Sequence, residues 1–311
     1  MDGNIAIQTI VPILLLMALG FLSRKMGILK SGDERVLNAY VYYFALPALF
    51  LVDLAEANFT HDDLGFALAG IIPIFIIMAV YTSLYIIFRF SKNTLYLLIL
   101  STVFGSLAFF GIPFIMFAFP TREGERLAAM SASFISFVSV AISIVILELY
   151  KLEKSTIWNS VKRVAKRLSK NPLIISIFAG ILLSFSGLEI PSPISTSLHM
   201  IGSTTAAVAI FLLGAFLYGR KYTNIARAFE LSLLRIVFLP IVAFFITLLF
   251  NLPNLEKTTL VLMHAMPIAI SMIVLSERYD FHKETIASLI LISSIGAAIY
   301  LNLWLLLLGH Y

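Results

Sequence analysis

From residue 4 to residue 308 the chain is a succession of apolar stretches separated by short polar loops. A helix needs about 20 apolar residues to cross the hydrocarbon core of a bilayer. Backbone in that medium must satisfy its own hydrogen bonds, so a chain of this kind folds as packed transmembrane helices. Ten spans are expected, at roughly 4–23, 34–53, 64–90, 94–119, 125–150, 171–188, 194–219, 226–250, 256–277 and 283–308. The 311 residues are 60% hydrophobic and 13% charged, with mean hydropathy +0.99, which leaves no room for a soluble domain. The first span follows Met1-Asp2-Gly3 without a basic leader and reads as a retained helix, not a cleaved signal.

Charge orients the spans. Loops after odd-numbered spans hold 18 Lys and Arg residues, and the opposite side holds only Arg122, Arg126 and Lys257. By the positive-inside rule the odd loops are cytoplasmic, so both termini of a cell-membrane protein face outward. The net charge of +5 therefore belongs to membrane orientation, and no nucleic-acid partner is expected. The outer face is acidic, with Asp53, Glu56, Asp62 and Asp63 in one loop. The long basic loop 151–170 carries Val161, Val164 and Leu168 at helical spacing, which suits either an interfacial helix or a solvated connector. It divides one transporter domain, 1–311, into halves 1–150 and 171–311 of five spans each.

An odd number of spans per half requires any repeat to be inverted. Phe44-Ala45-Leu46-Pro47-Ala48 lies 167 residues before Phe211-Leu212-Leu213-Gly214-Ala215, and Pro73 lies 167 before Pro240. Prolines also interrupt spans 4 and 9, in Gly111-Ile112-Pro113 and His264-Ala265-Met266-Pro267. A proline has no N–H and clashes with the preceding turn, so both spans are expected to break there. Paired broken helices in the two halves of a membrane protein point to a transporter's binding site. Each second half-helix begins with unpaired N–H groups and a partial positive charge, which favours an anion.

Ionisable and polar groups inside spans complete the candidate set. His264 can contact a solute, carry a proton or simply pack. Arg235, in span 8, can line a path or snorkel to the interface. Asn38 and Pro47, in span 2, are further path candidates. Ser106, Thr204, Thr205 and Ser271 supply hydroxyls near the breaks or in span 7. Glu148 and Glu230 lie at span ends and read as solvated there. No Asp or Glu falls near the middle of a span, which argues against a carboxylate proton relay. No cofactor or metal is called for. Coupling to sodium or to a proton stays open, as do a passive channel and, more weakly, an intramembrane enzyme. His-Glu-x-x-His is absent.

Tyr42-Tyr43-Phe44-Ala45-Leu46-Pro47-Ala48-Leu49, Gly111-Ile112-Pro113, Asn171-Pro172-Leu173-Ile174, Ser203-Thr204-Thr205-Ala206, Leu213-Gly214-Ala215, Ala265-Met266-Pro267 and Ser276-Glu277-Arg278-Tyr279 run from end to end of the chain. In order and spacing they resemble the auxin efflux carrier family, in the prokaryotic branch related to plant PIN carriers. The resemblance implies an all-α integral membrane protein of ten helices. It also implies a 5 + 5 inverted repeat with crossed broken helices 4 and 9, as in bile-acid-symporter-like folds. A small organic anion would be transported, and a homodimer is implied. The site would comprise Ser106, Gly111, Ile112, Pro113, Thr204, Thr205, His264, Ala265, Met266, Pro267 and Ser271. Many family members carry Asn-Thr-Gly where this chain has Ser106-Leu107-Ala108, so a copied auxin site is not expected.

The orientation is tested by cysteines introduced at Ser155 and Ser192, since the chain has none of its own. In sealed, oriented vesicles an impermeant thiol reagent should label one and spare the other. Equal labelling refutes the topology.

Overall fold

The computed structural model describes residues 5–56, 61–151, 166, 169–219 and 222–310. The expected interfacial helix with Val161, Val164 and Leu168 lies outside the described residues. The described chain is helical: α1 (Ile5–Lys25), α2 (Glu34–Ala55), α3 (His61–Phe88), α4 (Lys92–Val103), α5 (Leu107–Ala118), α6 (Arg122–Tyr150), α7 (Pro172–Ser186), α8 (Ser192–Leu217), α9 (Ile225–Leu249), α10 (Asn254–Ala265), α11 (Ser271–Tyr279) and α12 (Lys283–Leu307). Among the described residues six helices are long and apolar enough to cross a membrane: α2, α3, α6, α8, α9 and α12. The apolar α5 and α7 are shorter. The chain is a multi-pass membrane protein.

The helices sort into two packed groups. In one, α1 lies along α8, and α2 packs against α7 and α8. In the other, α9 touches α3, α10 and α12, and α3 touches α6. Contacts of α2 with α6, and of α5 with α1 and α8, join the groups. The tightest crossing in the first group depends on two glycines. A Cβ on Gly20 would fall on the Phe211 carbonyl, and one on Gly214 on the Met17 carbonyl. Close backbone approach of this kind gains packing where apolar burial gives no advantage, because lipid is as apolar as leucine.

Among the described residues, three wide π turns shape α2, α5 and α9. Val41–Ala45, Leu107–Gly111 and Leu234–Phe238 each end two residues before a proline, namely Pro47, Pro113 and Pro240. After each turn an N–H reaches five residues back, from Leu46 to Val41, Ile112 to Leu107 and Leu239 to Leu234. A proline ring clashes with the carbonyl four residues before it. A widened turn relieves that clash without ending the helix. The carbonyl of Ile236, four residues before Pro240, accepts from the Trp304 indole N–H at 2.9 Å. Pro73 differs from Pro240, its partner at the offset of 167, in lying inside uninterrupted α3.

Two expectations are corrected here. The first break falls at Phe104–Ser106 between α4 and α5, not at Pro113, which sits in the first turn of the α-helical part of α5. The π turn absorbs the proline, and the chain leaves helical geometry around Gly105 instead. Glu148 is not solvated: only 3% of its surface is exposed, and it accepts from the Tyr279 hydroxyl at 2.6 Å. Glu230 is exposed as expected.

Gly214→Val should destabilise the protein by about 1–3 kcal/mol, as overpacking does. Gly65→Ala is the control, because its Cβ would meet only a Phe250 ring carbon at 3.8 Å. Thermal unfolding in detergent should show a lowered midpoint for the first variant and none for the second.

Candidate functional site

The two breaks, Phe104–Ser106 and Met266–Ile270, meet in antiparallel pairing. The Ser106 N–H donates to the Pro267 carbonyl at 2.7 Å, and the Ala269 N–H to the Phe104 carbonyl at 3.0 Å. Gly105 stands opposite Ile268 in this short bridge. The Ile268 N–H donates to Ser293 Oγ on α12 at 3.2 Å. Backbone that leaves a helix inside a membrane carries polar groups that lipid cannot satisfy. Here each break satisfies part of the other.

Arg235, in the π turn of α9, completes the crossing. It is fully buried. Its Nε donates to the Met266 carbonyl at 2.8 Å, Nη1 to Thr102 at 2.7 Å and Val103 at 3.3 Å, and Nη2 to Met263 at 3.3 Å. These carbonyls close the C-terminal ends of α4 and α10, where a helix carries partial negative charge. Among the described residues no carboxylate pairs with the guanidinium, so the two helix ends are its counter-charge. A Cβ on Gly105 would collide with that guanidinium. Arg235 therefore neither snorkels nor lies free in a path.

The opposite polarity is left open. The N–H groups of Leu107, Ala108 and Phe109, which start α5, have no acceptor among the described residues, nor do those of Ile270 and Ser271, which start α11. Ser106 takes the N-cap place of α5 without capping it, and its buried Oγ has no partner. Leu107, Ala108 and Ile270 are buried, Phe109 is half-buried and Ser271 is exposed; buried backbone donors are nearly always paired. Unpaired ones at helix N-termini form a ready site for an anion.

The crossing brings together Ser106, Ala265, Met266, Pro267 and Ser271. Gly111 packs beneath it, where a Cβ would meet Met263 Sδ at 2.6 Å and Met266 Cγ at 3.2 Å. Ile112 and Pro113 follow it directly in α5 and are buried. His264 is buried, and since the Gly70 carbonyl can only accept, Nε2 carries the proton in the 2.8 Å bond to it. Its Nδ1 has no partner. Thr204 donates to Ile201 at 2.7 Å, so Tyr40 must be the donor in the 2.8 Å bond between their hydroxyls. Thr205 is buried with Oγ1 unpaired. Asn38 is exposed on α2, and Pro47 follows the π turn of the same helix. Sequence reading missed Gly105, Ser293 and the open donors at Leu107–Phe109. A glycine seven residues before the helix-opening pair Ile112-Pro113 was the one available signal.

A membrane protein whose two interrupted helices pair through their breaks is built as a transporter. The chain belongs to the membrane transport protein family, whose pattern matches residues 5–305. It is 26% identical over 308 residues to an uncharacterized transporter of Methanocaldococcus jannaschii, covering 96% of this chain and 98% of the relative. It is 24% identical over 306 residues to the uncharacterized transporter YfdV of Escherichia coli, covering 96% of each. A putative malonate transporter of Rhizobium meliloti is 22% identical over 297 residues, 92% of this chain and 90% of that one.

Gly105→Ala should displace the guanidinium and destabilise the fold by about 3 kcal/mol, the scale for breaking a buried charge pairing. In Arg235→Met the same alanine has nothing to collide with. A double-mutant cycle on unfolding should give a coupling of about 1 kcal/mol or more. Additive effects would show that the two residues do not share this contact.

Proposed function

We propose that the protein is a secondary transporter of a small organic anion, a carboxylate, with the helix crossover as its site. The observation that carries this reading is the set of unpaired donors at the starts of α5 and α11, joined by the unpartnered Ser106 hydroxyl. The remaining candidates at the crossing, Gly111, Ile112, Pro113, Ala265, Met266 and Pro267, shape the apolar floor. His264 orients the floor from behind, and Thr204, Thr205, Asn38 and Pro47 belong to the group of helices facing it. Transport proceeds by alternating access, the group containing the crossover moving against the group of α1, α2, α7 and α8. Taking α4 with α5, and α10 with α11, as single interrupted passes supports a ten-pass, 5 + 5 inverted arrangement. Its halves are 1–150 and 171–311, with both termini outside the cell membrane and a homodimer as the working form.

The name of the Rhizobium relative makes malonate a first probe. In purified protein malonate should raise the thermal midpoint in a saturable way, because a ligand that binds only the folded state stabilises it. Ser106→Ala should weaken that effect about fivefold, the loss expected for one net hydrogen bond. Proteoliposomes should show saturable exchange of labelled malonate. Conductance at channel rates would overturn the carrier reading, and no response to malonate or to other short carboxylates would overturn the anion reading.

A further inference from the structure

An interrupted helix has an electrostatic difficulty that the anion reading leaves unanswered. Each break creates a positive N-terminal end, but it also creates a negative C-terminal end a few residues away. A helix end carries roughly half an elementary charge, so the two breaks together present about +1 and about −1. Left alone, the ends would largely cancel, and the crossover would hold no net preference for negative charge.

Arg235 changes that sum. Its guanidinium is bonded to Thr102 and Val103 at the end of α4 and to Met263 and Met266 at the end of α10. Both negative ends are therefore neutralised by one buried cation. The N–H groups that open α5 and α11 are not among its partners and remain unpaired. Gly105, at the tip of the first break, makes room for the planar group. A flexible lysine ammonium has no such fork and cannot reach four carbonyls in this arrangement.

We infer that Arg235 sets the charge specificity of the crossover: by cancelling the C-terminal ends of α4 and α10 it leaves the site with about one positive charge, matched to a solute that brings a single negative charge. This inference rests on the proposed anion site at the crossover. Arg235 acts through the helix ends and does not touch the solute, so it is a positioning and specificity-determining residue. A dicarboxylate would enter with one carboxyl protonated.

The test uses three probes of one shape on the purified protein: malonate, its monomethyl ester and its dimethyl ester, which at neutral pH carry two, one and no negative charges. Binding is read by calorimetry, with proton uptake obtained from runs in two buffers of different ionisation enthalpy. The wild type should bind the monoester about tenfold or more tighter than the diester, and should take up a proton when it binds malonate. In Arg235→Gln the preference for monoester over diester should collapse to near unity, while diester binding changes little. A general loss of structure would weaken both probes alike and leave their ratio where it was. Arg235→Lys keeps the charge near one helix end and should retain an intermediate ratio.

Failure is separable. If the wild type binds none of the three probes, or binds the diester as well as the monoester, the anion reading itself fails and this inference with it. If the wild type prefers the monoester and folded Arg235→Gln keeps that preference, the anion reading stands and the role of Arg235 is refuted. Should Arg235→Gln not fold, Arg235→Lys and the wild-type proton count decide. A lysine variant with an undiminished ratio, or malonate bound as a dianion more tightly than the monoester, overturns the single-charge sum.

Discussion

The buried guanidinium of Arg235 is the interaction on which the crossover depends. An unpaired cation in a medium without water would cost tens of kcal/mol by a Born estimate, and such groups survive only when fully bonded. Here the partners are backbone carbonyls, not carboxylates. The carbonyls belong to the broken ends of α4 and α10, where helix carbonyls lose their usual partners; Val103 and Met263 also accept from the Gly105 and Met266 N–H groups, at 3.1 and 3.3 Å. Each side therefore resolves the other's deficit. Two unwound segments and one cation that would each be intolerable alone form a stable unit together.

This unit ties four helices to one point. Arg235 comes from α9, its acceptors come from α4 and α10, and Ser293 on α12 takes the N–H of Ile268. These elements pack in the same group. The other group, α1 with α8 and α2 with α7, is held by close glycine contacts. At the acidic end the groups touch through polar contacts. Glu56, held by Ser195 at 2.6 Å, reaches the largely exposed Arg122 at 3.4 Å. Exposed ion pairs contribute little, so this link adds little to holding the two groups together.

Much of the helical architecture was legible in the sequence because a bilayer imposes a length on each span. The pairing of the two interrupted spans was legible for the same kind of reason, since proline and glycine inside an apolar run have few uses. The position of the first break was not. Pro113 looked like the breaker, yet a π turn absorbs it, and π turns answer to packing that no single sequence displays. Nor was the role of Arg235 legible. Its acceptors are main-chain groups 28 to 133 residues away, and backbone carbonyls leave no residue type to recognise. Glu148 was misread for a similar reason, because its hydrogen bond to Tyr279 spans 131 residues.

The same physics bears on how the site proposed at the crossover would work without a charged side chain facing the solute. A lysine or arginine placed directly in the cavity would form a strong contact pair with a carboxylate, and release would then be slow. Helix ends spread the positive charge over several N–H groups, each a modest donor. In the role proposed for it, Arg235 sits behind them and sets the total without contacting the anion. Binding strong enough to select but weak enough to release is what a carrier needs, since a solute held tightly in both conformations only fills the site. The proposed site would divide selection and release between two layers of one small structure: donors at the surface of the crossing, and the cation that keeps them unopposed beneath it.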